Sequence, residues 1–82
     1  MRRTDYWPLV DVLAERAGAT VTLTFAEVER ALRQPLSLDA YERRSWWLAT
    51  AAGPSRTLQS AGWQVASVDV LSNLVTFAKH SG

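Results

Sequence analysis

The sequence predicts an α+β fold in one small domain, 1–82, with short helices against a three-stranded antiparallel sheet that ends in a C-terminal hairpin. Three observations predict it. Apolar residues recur at helical spacing over 6–17 and 25–33, alternate with threonines over 20–24, and fill two valine-rich runs within 63–79. At 82 residues the chain has room for one core and little stability to spare.

The first helix is expected over 6–17. Leu9, Val12, Leu13 and Ala17 share a face, with Asp11, Glu15 and Arg16 opposite; Pro8 suits the first turn and Gly18 the stop. A strand over 20–24 follows, because Val21 and Leu23 alternate with Thr20, Thr22 and Thr24. The next boundary is the sharpest. Thr24-Phe25-Ala26-Glu27 has capping-box spacing, with the threonine at N-cap and the glutamate at N3. It opens a helix over 25–33 with Phe25, Val28, Ala31 and Leu32 as the apolar face, stopped by Pro35. Ser37 or Asp39 would cap a helix over 38–47, although the pattern is poorer here and 45–49 could instead be a short strand. Pro54 opens a helix over 54–61 that Gly62 ends. In the hairpin 63–79, Ser72-Asn73 is a two-residue turn, since Asn tolerates the left-handed region. Val65 is out of phase with Val68 and Val70, which predicts a bulge near Ala66-Ser67. The expected core is Leu13, Leu23, Phe25, Val28, Leu32, Leu58, Val65, Val75 and Phe77.

Composition narrows the function classes. Without cysteine there is no disulfide, thiolate metal site or cysteine nucleophile. Met1-Arg2-Arg3 leads into Asp5 and Pro8 instead of an apolar stretch, so no signal peptide is expected, and no apolar run approaches the roughly 20 residues of a membrane span. A cytoplasmic location is the expectation. The lone histidine, His80, has no fixed partner in sequence, and Glu27 and Glu29 point in different directions on a helix. Neither metal spacing nor a phosphate-cradling glycine loop is present. No enzyme activity and no cofactor are expected.

Charge is uneven along the chain. Residues 1–42 hold five arginines against seven acids; residues 43–82 hold Arg43, Arg44, Arg56 and Lys79 against Asp69 alone. A mildly basic second half suits a polyanion partner. Arg43-Arg44-Ser45-Trp46-Trp47 reads in two ways. It is a contact surface, with guanidinium groups on phosphates and an indole stacked on a base; or one or both indoles belong to the core and the arginines solvate the other face. On a helix Arg43 and Trp47 are i,i+4 neighbours, and a stacked Arg–Trp pair would be stabilising whatever the function. Ser55, Arg56 and Gln59 carry groups that read base edges or phosphates, and are equally ordinary on a solvated helix face. Lys79 adds a positive end to the hairpin. The candidate nucleic-acid contacts are therefore Arg43, Arg44, Trp46, Trp47, Ser55, Arg56, Gln59 and Lys79.

The element order resembles a winged helix-turn-helix domain, in which a strand between the first two helices pairs with the wing hairpin. The helices 25–33 and 38–47 would form the turn motif, but such domains run from recognition helix straight into the wing. Here 48–62 intervenes, so either helix 54–61 takes the recognition position or the arrangement differs. Val21-Thr22-Leu23-Thr24-Phe25-Ala26-Glu27-Val28-Glu29, with Trp46-Trp47, Ala61-Gly62-Trp63 and Val75-Thr76-Phe77, also resembles an uncharacterised family of small bacterial domains. The likeness spans about Tyr6 to Phe77. It departs from the family's Trp-Trp-x-Asn pattern at Ala49, and implies a bacterial or phage source with no established activity. The leading expectation is a small duplex-DNA-binding domain, a regulator or DNA-reading module. The alternative is a protein-interaction module: a homodimer, or a small phage or mobile-element inhibitor docking on a bacterial protein. Four tryptophans and an open hairpin edge motivate it.

Overall fold

The computed structural model describes residues 6–16, 18–49 and 54–79. They form α1 (Trp7–Glu15), β1 (Thr20–Thr24), α2 (Phe25–Leu32), α3 (Leu38–Glu42), α4 (Arg44–Leu48), α5 (Pro54–Ser60), β2 (Trp63–Asp69) and β3 (Leu74–Lys79). The strands make one antiparallel sheet in the order β1-β3-β2. The fold is thus α+β, and its central strand is the last element in chain order.

Register follows the alternation of the sequence. Val21 pairs with Phe77 and Leu23 with Val75 across β1 and β3, so each pair sends its apolar side chains to one face. On β2 the register slips between Val65 and Ser67. The extra residue, Ala66, is the expected bulge, and it returns Val68 to the core side beside Val75. All helices lie on that face. The other face carries Thr20, Thr22, Gln64 and Ser67, all exposed, and is tied by a 2.9 Å hydrogen bond between the Thr22 and Thr76 hydroxyls.

Local chemistry sets most boundaries. The Thr24 hydroxyl accepts from Glu27 N at 3.1 Å, and Glu27 Oε1 accepts from Thr24 N at 2.9 Å. This complete capping box turns the chain from β1 directly into α2. Arg33 ends α2 in the left-handed region, at φ 59°. Gly62, at φ 86°, ends the turn after α5 and redirects the chain into β2. Pro8 lies in the first turn of α1, as expected.

Two boundaries differ from expectation. The helix predicted over 38–47 is two helices broken at Arg43, whose φ of −127° and ψ of 116° are extended. The break re-aims the following turn so that Trp47 points inward, where its Nε1 donates to the carbonyl of Ala40 at 2.8 Å. Residues 44–48 are helical, not strand. The hairpin connection is also longer than Ser72-Asn73: it takes in 70–73. Asp69 Oδ1 accepts from Leu71 N and Ser72 N, both at 3.1 Å, and this turn displaces Val70 and Leu71 from the ladder. Asn73 adopts the left-handed conformation, at φ 56°.

The core centres on Phe25. Trp47 stacks on it with ring centres 5.1 Å apart and Tyr41 meets it edge-on at 5.2 Å. Phe77 meets Trp47 at 6.5 Å from the sheet side. Leu9, Leu13, Leu23, Val28, Leu58 and Val75 fill the surrounding space. Every expected core residue is buried except Val65, which is half-buried beside the bulge. Trp47, Trp63 and Ala40 are core residues that the periodicity did not pick out.

Candidate nucleic-acid interface

α5 is oriented by one buried hydroxyl. Ser55 Oγ donates to the carbonyl of Trp47 at 2.8 Å, tying the start of α5 to the last turn of α4. With Pro54 and Leu58 also buried, α5 has a fixed inner side. Arg56, Gln59 and Ser60 then occupy its exposed side, at the i, i+3 and i+4 positions. The Ser60 hydroxyl turns back to the carbonyl of Arg56 at 3.2 Å, which leaves Arg56 and Gln59 as the outward polar pair.

This geometry corrects two of the sequence-predicted contacts. Ser55 is buried and its hydroxyl is committed to Trp47, so it cannot reach a ligand. Trp47 is wholly buried in the aromatic cluster, with its only donor bonded to Ala40. The break at Arg43 likewise removes the expected Arg43–Trp47 stack, because the two residues no longer share a helix. Arg43 instead faces Asp39 at 3.7 Å, a solvated i,i+4 ion pair of little energetic weight.

The remaining candidates are accessible. Arg43 and Arg44 are exposed at the α3–α4 break. Lys79 is exposed at the end of β3, opposite Trp63, the residue that opens β2 just beyond α5. α4 and α5 both pack against β2 and against each other. Residues 43–68 include Arg43, Arg44 and Arg56 and no acid.

Trp46 is half-buried. Its ring meets Tyr6 edge-on at 6.3 Å and Trp47 at 4.9 Å. One side of it faces a recess of about 360 Å³ that Tyr6, Leu32, Pro35 and Leu36 also line. Sequence reasoning missed this recess because it draws on three separate stretches of chain and has no periodic signature. Glu29 holds its rim: Oε2 accepts from Leu36 N at 2.8 Å, and the backbone carbonyl accepts from Gln34 N at 3.3 Å. The neighbouring Tyr41 hydroxyl has its pKa raised, first by burial and then by its hydrogen bond to Glu29.

Among the described residues no group of three or more His, Cys, Asp or Glu side chains could hold a metal ion, and no helix is long and apolar enough to cross a membrane. His80 lies outside the described residues. A family model, that of a domain of unknown function (DUF7662), matches residues 6–81. Comparison with curated proteins and with solved structures finds no match.

Proposed function

We propose that the chain, which belongs to the DUF7662 family, is a duplex-DNA-binding domain of winged helix-turn-helix type. The observation that carries the reading is the position of α5. It immediately precedes the β2–β3 hairpin, and β3 pairs with a strand lying between α1 and α2. That is the place of a recognition helix, and its exposed side presents Arg56 and Gln59. Arg bonds phosphate or guanine, and Gln bonds adenine through two atoms. α3 and α4 are an added link between α2 and α5, and they bring Arg43 and Arg44 to the surface as backbone contacts. Lys79 extends the same positive character, with no acid between 43 and 68 to oppose it. The resemblance noted above favours a bacterial or phage source, and such a regulator works in the cytoplasm.

The test is a fluorescence titration of a labelled duplex at several salt concentrations. Each phosphate contact contributes about 0.9 to the slope of log affinity against log salt. Arg43→Ala combined with Arg44→Ala is expected to weaken all sequences equally and to lower the slope by close to two units. Gln59→Ala is expected to alter sequence preference and leave the slope unchanged. Failure of the wild type to bind at low salt, about 50 mM, removes the reading.

A second reading, a protein-interaction module, draws on exposed apolar side chains: Leu71 is 95% exposed, Leu38 71% and Trp7 51%. Its signature is a contact insensitive to salt.

A further inference from the structure

Three residues that line the recess beside Trp46 carry polar groups that the fold leaves uncommitted. Ser37 is the clearest. It holds the N-cap position of α3, where a serine hydroxyl ordinarily accepts from the first turn, yet it makes no capping bond. Gln34 is exposed, and its amide has no partner among the described residues. The two indoles of α4 differ in the same sense. Trp47 Nε1 is spent on the carbonyl of Ala40, whereas Trp46 Nε1, among the described residues, is neither bonded nor buried. The walls are set in advance. Glu29 holds the 34–36 segment at two points, through its carboxylate to Leu36 N and its carbonyl to Gln34 N. Tyr6 and Trp47 brace the Trp46 ring. A ligand therefore meets a surface already ordered, which keeps the entropic cost of binding low.

The chemistry of the lining selects the ligand. None of the lining residues carries a charge, and the Glu29 carboxylate on the rim is already engaged by Leu36 N and the Tyr41 hydroxyl. The recess therefore suits a neutral group. Its rings stand in a corner: Tyr6 and Trp46 lie at 73° to each other, and Pro35 adds a third ring. A flat ligand in such a corner lies against one ring face and meets the edge of the other. Only one planar amide is present, that of Gln34. A sugar presents hydroxyls all round and needs several such groups. A nucleobase presents its polar atoms along an edge, which one glutamine pairs through two atoms. The volume of about 360 Å³ is at the lower end for small-molecule sites and fits a ligand of nucleoside size.

We propose that the recess binds one unstacked purine base, adenine in preference, against the Trp46 ring and with its polar edge on Gln34 and the Ser37 hydroxyl. The base belongs either to a free nucleoside or to an unpaired position in a nucleic-acid strand. The site uses none of Arg43, Arg44, Arg56, Gln59 and Lys79, so it stands independently of duplex binding.

The experiment titrates the whole chain separately with adenosine, a short oligodeoxyadenylate and glucose, read on the amide and indole resonances in two-dimensional NMR. Adenosine is expected to shift Trp46 Nε1–H and the Gln34 side-chain amide with a dissociation constant of about 0.1–1 mM, the order that its size supports. Gln34→Ala, at an exposed position, is expected to keep the fold and to weaken binding about tenfold. Ser37→Ala is expected to weaken it about threefold with an unchanged denaturation midpoint, since it removes no capping bond. An oligodeoxyadenylate that moves the same resonances at lower concentration than adenosine identifies an unpaired nucleotide as the source. Equal or weaker affinity identifies the free nucleoside. No shift at Trp46 and Gln34 up to about 5 mM adenosine overturns the proposal. So do shifts of the same size with glucose, or binding that Gln34→Ala and Ser37→Ala both leave unchanged. The adenosine titration contains no duplex, so its failure leaves the salt titration of the DNA reading unaffected.

Discussion

Three side chains decide most of what this domain can be. Thr24 ends β1 and starts α2, so Thr24→Ala should cost about 1 kcal/mol, measured by urea denaturation. Its partner Glu27 gives the fold a pH dependence. The backbone N–H of Thr24 lowers its pKa most, against a smaller opposing effect of burial, and the Thr24 hydroxyl, Arg16 and Arg30 lower it further. The folded value lies below the unfolded one of about 4.3. The contribution is therefore complete above the unfolded value and lost as pH falls through the folded one. Glu27→Gln should flatten this acid limb of the stability profile, which denaturation at neutral pH and below about pH 4 would reveal. Trp47 is the third. Trp47→Phe keeps an aromatic ring but orphans the carbonyl of Ala40 and leaves a void under Phe25. A loss of about 2–4 kcal/mol is expected, combining an unmade buried hydrogen bond with a cavity.

At the scale of elements, the ends of α2 differ in quality. Its start is capped by a complete box; its end places Arg33 at φ 59°, where a side chain is strained. Arg33→Gly should raise stability by about 1 kcal/mol, seen as a higher denaturation midpoint with the slope unchanged. The contrast also explains what was legible in the sequence. The capping box, the alternation of Val21 and Leu23, the bulge at Ala66 and the stop at Gly62 all rest on neighbours a few residues apart. They could be read from the chain alone. The break at Arg43 rests on Trp47 reaching the carbonyl of Ala40 and the ring of Phe25, a tertiary demand with no local sign. Five-residue helices such as α3 and α4 are too short to show a period. For the same reason the sequence located the basic candidates Arg43, Arg44, Arg56 and Lys79 on the surface, but could not separate Trp46 from Trp47, or Ser55 from Arg56.

For the whole molecule, one aromatic cluster joins elements from both halves of the chain. Phe25 comes from α2, Tyr41 from α3, Trp47 from α4 and Phe77 from β3. No helix has a separate core to fall back on, so unfolding should be a single transition. Tryptophan fluorescence and far-ultraviolet circular dichroism should give coincident urea curves. Phe25→Ala, at the centre of the cluster, should cost about 3–5 kcal/mol. That is a large share of what holds a domain of this size together, so this variant should be unfolded or nearly so by both probes.

The middle strand of the sheet is the last of the three strands to leave the ribosome. β1 has to wait for a partner some fifty positions downstream, Thr20 for Ala78 and Leu23 for Val75, and until then β2 has no neighbour either. Until β3 emerges, the threonine strand and the bulged strand remain unpaired edges. Such distant pairings make for slow folding, and the interval before β3 emerges is when Val21, Leu23 and Trp63 are most open to a chaperone or to one another.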